Sequence, residues 1–143
     1  MTTPADATDS FEADAPGQGD ELVDLLVQTS FDVIAIVTRV GAEHDMSLTL
    51  VRMLGILRDR TLKAAELADY LGLERSTVSG LIDRAERRGF VVREAHSADG
   101  RSVQLRLTDA GQAMAKRGAD EIAVRMAPLL ERVPPRLREL LAD

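Results

Sequence analysis

Cysteine and tryptophan are both absent from the 143 residues, and tyrosine and phenylalanine together fill four positions. Without cysteine the chain has no disulfide, thiolate metal site, cysteine nucleophile or thiol redox switch. Aromatics make up 3% of the chain against 45% apolar residues, so a core has to be assembled from Leu, Ile, Val, Ala and Met. Such a core suits packed helices. The start lacks the basic and apolar regions of a signal peptide, and charges every few residues are expected to break the apolar runs. The expected address is therefore the cytoplasm, with no membrane partner. The length suits one domain, or one domain with appended dimerisation helices.

Basic residues are also scarce, 18 against 24 acids for a net charge of −6, which at first argues against nucleic acid as a partner. The distribution answers the objection. Residues 1–57 carry a net −8, residues 58–106 a net +2, and residues 107–143 balance. Positive charge is concentrated in the middle of the chain.

Residues 1–20 hold Asp6, Asp9, Glu12, Asp14 and Asp20 with no basic residue, and read as a disordered acidic arm. The expected domain spans 21–143. From Glu21, apolar residues at Leu22, Leu25, Leu26, Val33, Ile36, Val37 and Val40 recur at helical spacing toward an expected end near Gly41. Val23, Val27, Phe31 and Ile34 make the same helix apolar on other faces, as for a helix packed against a partner subunit. Ser47 or Thr49 caps a second, shorter helix carrying Leu50, Met53, Leu54 and Leu57, and Lys63–Leu71 forms a third that Gly72 ends.

A fourth helix, Arg75–Arg88, buries Val78, Leu81, Ile82 and Ala85 and ends at Gly89. Two strands follow, from Val91 to Glu94 and from Arg101 to Leu107, around a polar turn. Thr108 caps a long helix running to about Arg132, which Pro128 should kink and where Gly118 should admit another helix closely. A last short helix, Arg136–Leu141, follows Pro134-Pro135. The expected class is mainly α, an α+β winged helix: a winged helix-turn-helix over 48–108 with a two-stranded wing, flanked by N- and C-terminal dimerisation helices at 21–41 and 109–141. Leu22, Leu25, Val33, Ile36, Leu137 and Leu140 are the expected dimerisation residues, because one small winged domain offers them too few partners.

A helix enters the major groove of B-DNA when its leading turn has short side chains and longer donors flank them. Ser76, Thr77, Ser79 and Gly80 meet the first condition; Arg75, Arg84, Arg87 and Arg88 meet the second. Arginine forks onto a guanine edge or clamps phosphate, and the unpaired N–H groups at the helix start add a phosphate site. Arginines beside glutamates on a solvated helix face mean little alone. Joined to a preceding helix, a glycine turn and a following hairpin with a basic tip, they point to double-stranded DNA.

Residues 48–111 resemble the MarR family of winged helix-turn-helix transcription regulators. The resemblance lies in Leu71-Gly72-Leu73, Ser76-Thr77-Val78-Ser79, Leu81-Ile82-Asp83-Arg84, Arg87-Arg88-Gly89-Phe90-Val91, Asp99-Gly100-Arg101 and Leu107-Thr108-Asp109-Ala110-Gly111. It implies a homodimer on a pseudo-palindromic operator, with Arg101 of each wing in the minor groove and Asp99 holding the wing loop. It also implies a transcription regulator of the repressor type, released by a small anionic aromatic effector. Lys63 and Glu74 depart from the family's capping residues, although Glu66 can bond back toward Lys63. Ala85 replaces a frequent leucine and should leave space between the reading head and the dimerisation helices.

Two rival readings are weaker. One is a winged-helix protein-interaction module that meets its partner through acidic surface. The other is an enzyme, which His44 and His96 do not support because neither has the spacing of a metal ligand or a base. No cofactor, metal or catalytic residue is expected.

Overall fold

The computed structural model describes residues 18–95 and 102–142, with the backbone alone described for Gln18, Leu137, Leu140 and Leu141. Six helices and two strands follow in order: α1 Gln18–Glu43, α2 Leu48–Leu57, α3 Ala64–Leu71, α4 Arg75–Arg87, β1 Val91–Ala95, β2 Val103–Leu107, α5 Asp109–Arg132 and α6 Pro135–Ala142. The strands pair antiparallel, from Val91 opposite Leu107 to Ala95 opposite Val103. Leu62 adds a single bridge to Leu105 and ties the α2–α3 connection to the wing.

The continuous buried core lies entirely between Met46 and Leu107. Met53, Leu67, Ile82 and Ala85 are fully buried there, one from each of α2, α3 and α4 with Ala85 a second from α4. Burying a Leu, Ile or Met side chain contributes about 1.5–3 kcal/mol, so this three-helix and hairpin unit closes a core of its own. Ala85 is wholly buried in the core and borders none of the described hollows. Space opens instead between α2 and α5, where a cleft of about 90 Å³ is lined by Gly55, Arg58, Met114 and Gly118. A Cβ on Gly118 would meet nothing within 4 Å, so Gly118 borders that cleft rather than admitting a helix closely.

Helix α1 differs from its expected bounds at both ends. It starts at Gln18, which puts Asp20 and Glu21 in its first turn, where acids favour the helix dipole; the expected arm therefore loses its last three residues. At the other end the helix passes Gly41 and stops after Glu43, with the left-handed turn made by Asp45 at φ 54°. Gly41 serves a different purpose: a Cβ there would lie 2.8 Å from Val51 and 2.9 Å from the Met46 carbonyl. Its missing side chain lets the α1–α2 turn close.

Among its described side chains, α1 buries only Val40 and Gly41. The expected breaking of apolar runs also fails in α1, because Asp24, Asp32 and Arg39 are seven or eight residues apart. By length and composition α1 is apolar enough to cross a membrane, with mean hydropathy 1.4. Helix α5 packs beside it, capped by Thr108, whose hydroxyl accepts from the Gly111 N–H at 3.0 Å, and continues past Pro128 to Arg132.

Candidate nucleic-acid interface

The reading head begins with the capping of α3. Lys63 lacks a side-chain acceptor, but its backbone N–H donates to the Glu66 carboxylate at 3.2 Å, as expected of a reversed cap. Gly72 then turns the chain at φ 67°; its N–H donates to the Asp69 carbonyl and that of Leu73 to the Ala68 carbonyl. This is a left-handed helix stop that glycine adopts without Cβ strain. Glu74 follows at the start of α4 and makes no side-chain cap bond, so no Ser, Thr or Asp oxygen occupies the first-turn N–H groups.

Helix α4 divides cleanly. Val78, Leu81, Ile82 and Ala85 are buried, whereas Arg75, Ser76, Thr77, Ser79, Arg84 and Arg87 are exposed and Gly80 is half-buried. The Arg84 guanidinium lies back over Gly80, 3.7 Å from where a Cβ would stand. The acids of the helix are occupied elsewhere: Asp83 and Glu86 both pair with Arg93 of β1, at 3.0 and 3.1 Å. Arg93 thus removes two competitors, and the guanidinium groups of Arg75, Arg84 and Arg87 have no acid partner among the described residues.

Arg88 has a different role from the one its sequence position suggests. Its two terminal nitrogens donate to the carbonyls of Asp45 at 2.6 Å and His44 at 2.9 Å, and its guanidinium sits 4.9 Å from the Phe90 ring centre. Arg88 locks the end of α4 onto the α1–α2 turn. His44 continues the link, with its Nε2 2.9 Å from the Glu121 carboxylate on α5.

The wing is braced by a cross-strand pair. Arg106 donates to both oxygens of Glu94, the nearer at 2.6 Å, and that bond holds the Glu94 carboxyl below its ordinary range and the Arg106 guanidinium above its own. At the wing's base the Thr108 hydroxyl donates to the Gly89 carbonyl at 2.5 Å, and the Thr108 N–H to that of Phe90. A Cβ at Gly111 would overlap the Phe90 carbonyl, so the Leu107-to-Gly111 run is spaced to let α5 start against the end of the reading head. Asp99, Arg101 and His96 lie outside the described residues.

The expected dimerisation residues of α1 are exposed to different degrees. Leu22 and Leu25 are 42% and 39% exposed, whereas Val33 and Ile36 are half-buried. Leu25 and Ile36 border hollows that Leu129 of α5 also lines. More apolar surface is exposed at Val23, Val27, Phe31 and Ile34, of which Phe31 at 61% is the largest. The side chains of Leu137 and Leu140 lie outside the described residues.

Comparison with known proteins adds independent findings. A sequence model of the MarR family matches residues 44–102. The HTH-type transcriptional regulator YfiV of Bacillus subtilis is 39% identical over 66 residues, 46% of this chain and 41% of its own length. Less than half of YfiV is therefore spanned. The HTH-type transcriptional regulator SarZ of Staphylococcus aureus is 28% identical over 107 residues, 74% of this chain and 72% of its own. Among solved structures, apo MarR of E. coli superposes with a TM-score of 0.73 at 19% identity, covering 85% of this chain and 93% of its own. CouR of Rhodococcus jostii, solved with p-coumaroyl-CoA, gives 0.74 at 20% identity, covering 90% and 92%. At such identities the structural likeness speaks for the fold.

Proposed function

We propose that this chain, which is similar to the MarR family over residues 44–102, is a DNA-binding transcription regulator that works as a homodimer on a pseudo-palindromic operator. In this reading it represses transcription in the cytoplasm until a small anionic aromatic effector releases it. The carrying observation is the division of α4: an apolar side wholly in the core and an exposed side of short hydroxyl residues flanked by arginines without acid partners among the described residues. Ser76, Thr77 and Ser79 are short enough for the leading turn to enter a groove about 12 Å wide. Arg84 and Arg87 supply the forked donors, and the open N–H groups at the start of α4 take a phosphate. Arg101 enters the neighbouring minor groove from the wing, and Asp99 holds its loop. Dimerisation sets the two α4 helices about 34–36 Å apart, one turn of DNA.

Binding to random duplex DNA across a salt series tests the first step. A dimer contacting several phosphates loses affinity steeply as salt rises, and absence of binding at about 50 mM salt would favour a protein-interaction module instead. Selection from a random pool then gives the operator. On it, Arg84→Ala is expected to change base preference by about 1–3 kcal/mol at one position, while Arg101→Ala weakens binding broadly, mostly at A·T-rich flanks. Unchanged affinity in both variants would place DNA on another surface.

A further inference from the structure

Arg88 differs from the other arginines of the reading helix in having its donors already spent. Arg75, Arg84 and Arg87 have no acid partner among the described residues, whereas Arg88 gives its terminal nitrogens to the carbonyls of Asp45 and His44, at 2.6 and 2.9 Å. Both carbonyls belong to the turn between α1 and α2. The N–H groups of that turn are used within it: His44 and Met46 both donate to the Gly41 carbonyl, at 3.0 and 2.8 Å, and Asp45 donates to that of Ala42. Neither the His44 nor the Asp45 carbonyl receives a backbone N–H among the described residues. Arg88 satisfies both, as a planar guanidinium with several fixed donors can and a compact ammonium cannot.

His44 carries the link onward. Its ring Nε2 lies 2.9 Å from the Glu121 carboxylate, and its side chain is 18% exposed. One residue therefore meets the end of α4 through its carbonyl and α5 through its ring. The link matters because little else joins α4 to the flanking helices. Helix α4 packs against α3 and β1, and the core from Met46 to Leu107 contains no buried residue of α1 or α5; α5 reaches only its margin, through Met114 and Ala115.

We infer that Arg88 is a positioning residue: through His44 and Asp45 it fixes the angle of α4 to α5, and so the spacing at which two α4 helices meet DNA, without touching DNA itself. This rests on the homodimeric DNA reading proposed above. A head held at one angle favours one half-site spacing. A head released from the turn accepts neighbouring spacings at a lower best affinity, because less of its orientation is fixed before binding.

Half-sites from the selected operator, at the selected spacing and with one or two base pairs added or removed, test this in the full-length protein. All variants are compared at a temperature where circular dichroism shows them folded. The parent is expected to prefer the selected spacing by about tenfold or more. Arg88→Lys and Arg88→Gln should both reduce that ratio by about threefold or more, with base preference inside each half-site and the salt dependence of random-duplex binding unchanged. Glu121→Ala, which removes the α5 end of the link, should relax spacing by a smaller factor, and Arg84→Ala should change base preference while keeping the spacing ratio. Lysine is the discriminating substitution, because it keeps the charge that a phosphate binds but lacks the fork that spans two carbonyls. Parent-like spacing and affinity in Arg88→Lys, or a salt slope lowered by about one per subunit in Arg88→Gln, would make Arg88 a phosphate contact and overturn the proposal. Without DNA, hydrogen exchange at the His44 and Met46 amides should quicken by about tenfold in both Arg88 variants. Unchanged exchange there, with the parent still binding DNA, also overturns the proposal. A parent that binds no duplex overturns the DNA reading and the spacing role with it, and the exchange result then stands alone as a property of the turn.

Discussion

The reading head and the helices that flank it use the same aliphatic residues to opposite ends. Between Met46 and Leu107, apolar side chains from α2, α3, α4 and the wing meet one another and leave almost no surface. In α1 the corresponding residues face outward, with Val23 57% and Phe31 61% exposed. A winged unit that closes its own core is stabilised within one chain. An α1 that exposes its apolar stripe is stabilised by what covers it, and in the homodimer proposed above that cover is a second copy.

The sharpest way to break this contrast is to remove one side chain from each region. Leu67→Ala takes a fully buried residue from the head and should cost about 2–5 kcal/mol, observed as a lower denaturant midpoint at every protein concentration. Phe31→Ala should cost less, about 1–2 kcal/mol where the parent is dimeric, and its effect should fade on dilution to where both are monomers, because in the proposed homodimer the contact it removes is between copies. Sedimentation of Phe31→Ala at low concentration is expected to show monomer where the parent is dimeric. A Phe31→Ala effect independent of concentration would make α1 an ordinary surface helix.

Local rules make the head legible in its amino-acid sequence. Ser47 and Thr108 cap as their positions suggest, Glu66 closes the start of α3, and Gly72 and Gly89 take positive φ at the two helix ends. Each of these depends on residues within a few positions. What stays hidden depends on long-range placement. Arg88 looks like one more groove-facing arginine until the α1–α2 turn, 43 residues earlier in the chain, receives its donors. The face that α1 turns to α5 cannot be read from a helix apolar on several sides: Ile36 is half-buried and borders a hollow with Leu129 of its own α5, which the sequence pattern does not reveal. That hollow has no sequence signal, since Arg39, Arg125 and Arg132 converge only when two helices far apart in the chain are set side by side. Gly41, a plausible helix stop by residue type, is instead fixed by its distance from Val51.

The smallest expected difference between the two regions is electrostatic. Glu43 on α1 accepts from Arg125 on α5, and Glu94 accepts from Arg106 across the wing; in each, the arginine hydrogen bond is the main cause holding the carboxyl below its ordinary 4.5. A carboxyl whose folded value is lowered contributes stability that is fully present above about pH 4.5 and is lost as pH falls through the lowered value. Both pairs are solvent-exposed, so each contribution is small and is screened by salt. Thermal midpoints followed from about pH 7 to about pH 3 should fall less steeply in Glu43→Gln and in Glu94→Gln than in the parent. Their dependence on concentration should differ: Glu94→Gln acts within the self-contained head and shifts the acid limb equally at all dilutions. Glu43→Gln loosens α1 from α5, on which the proposed second copy sits, and its shift should vary with protein concentration. Equal behaviour of the two variants on dilution would mean that the α1–α5 frame is as self-sufficient as the head.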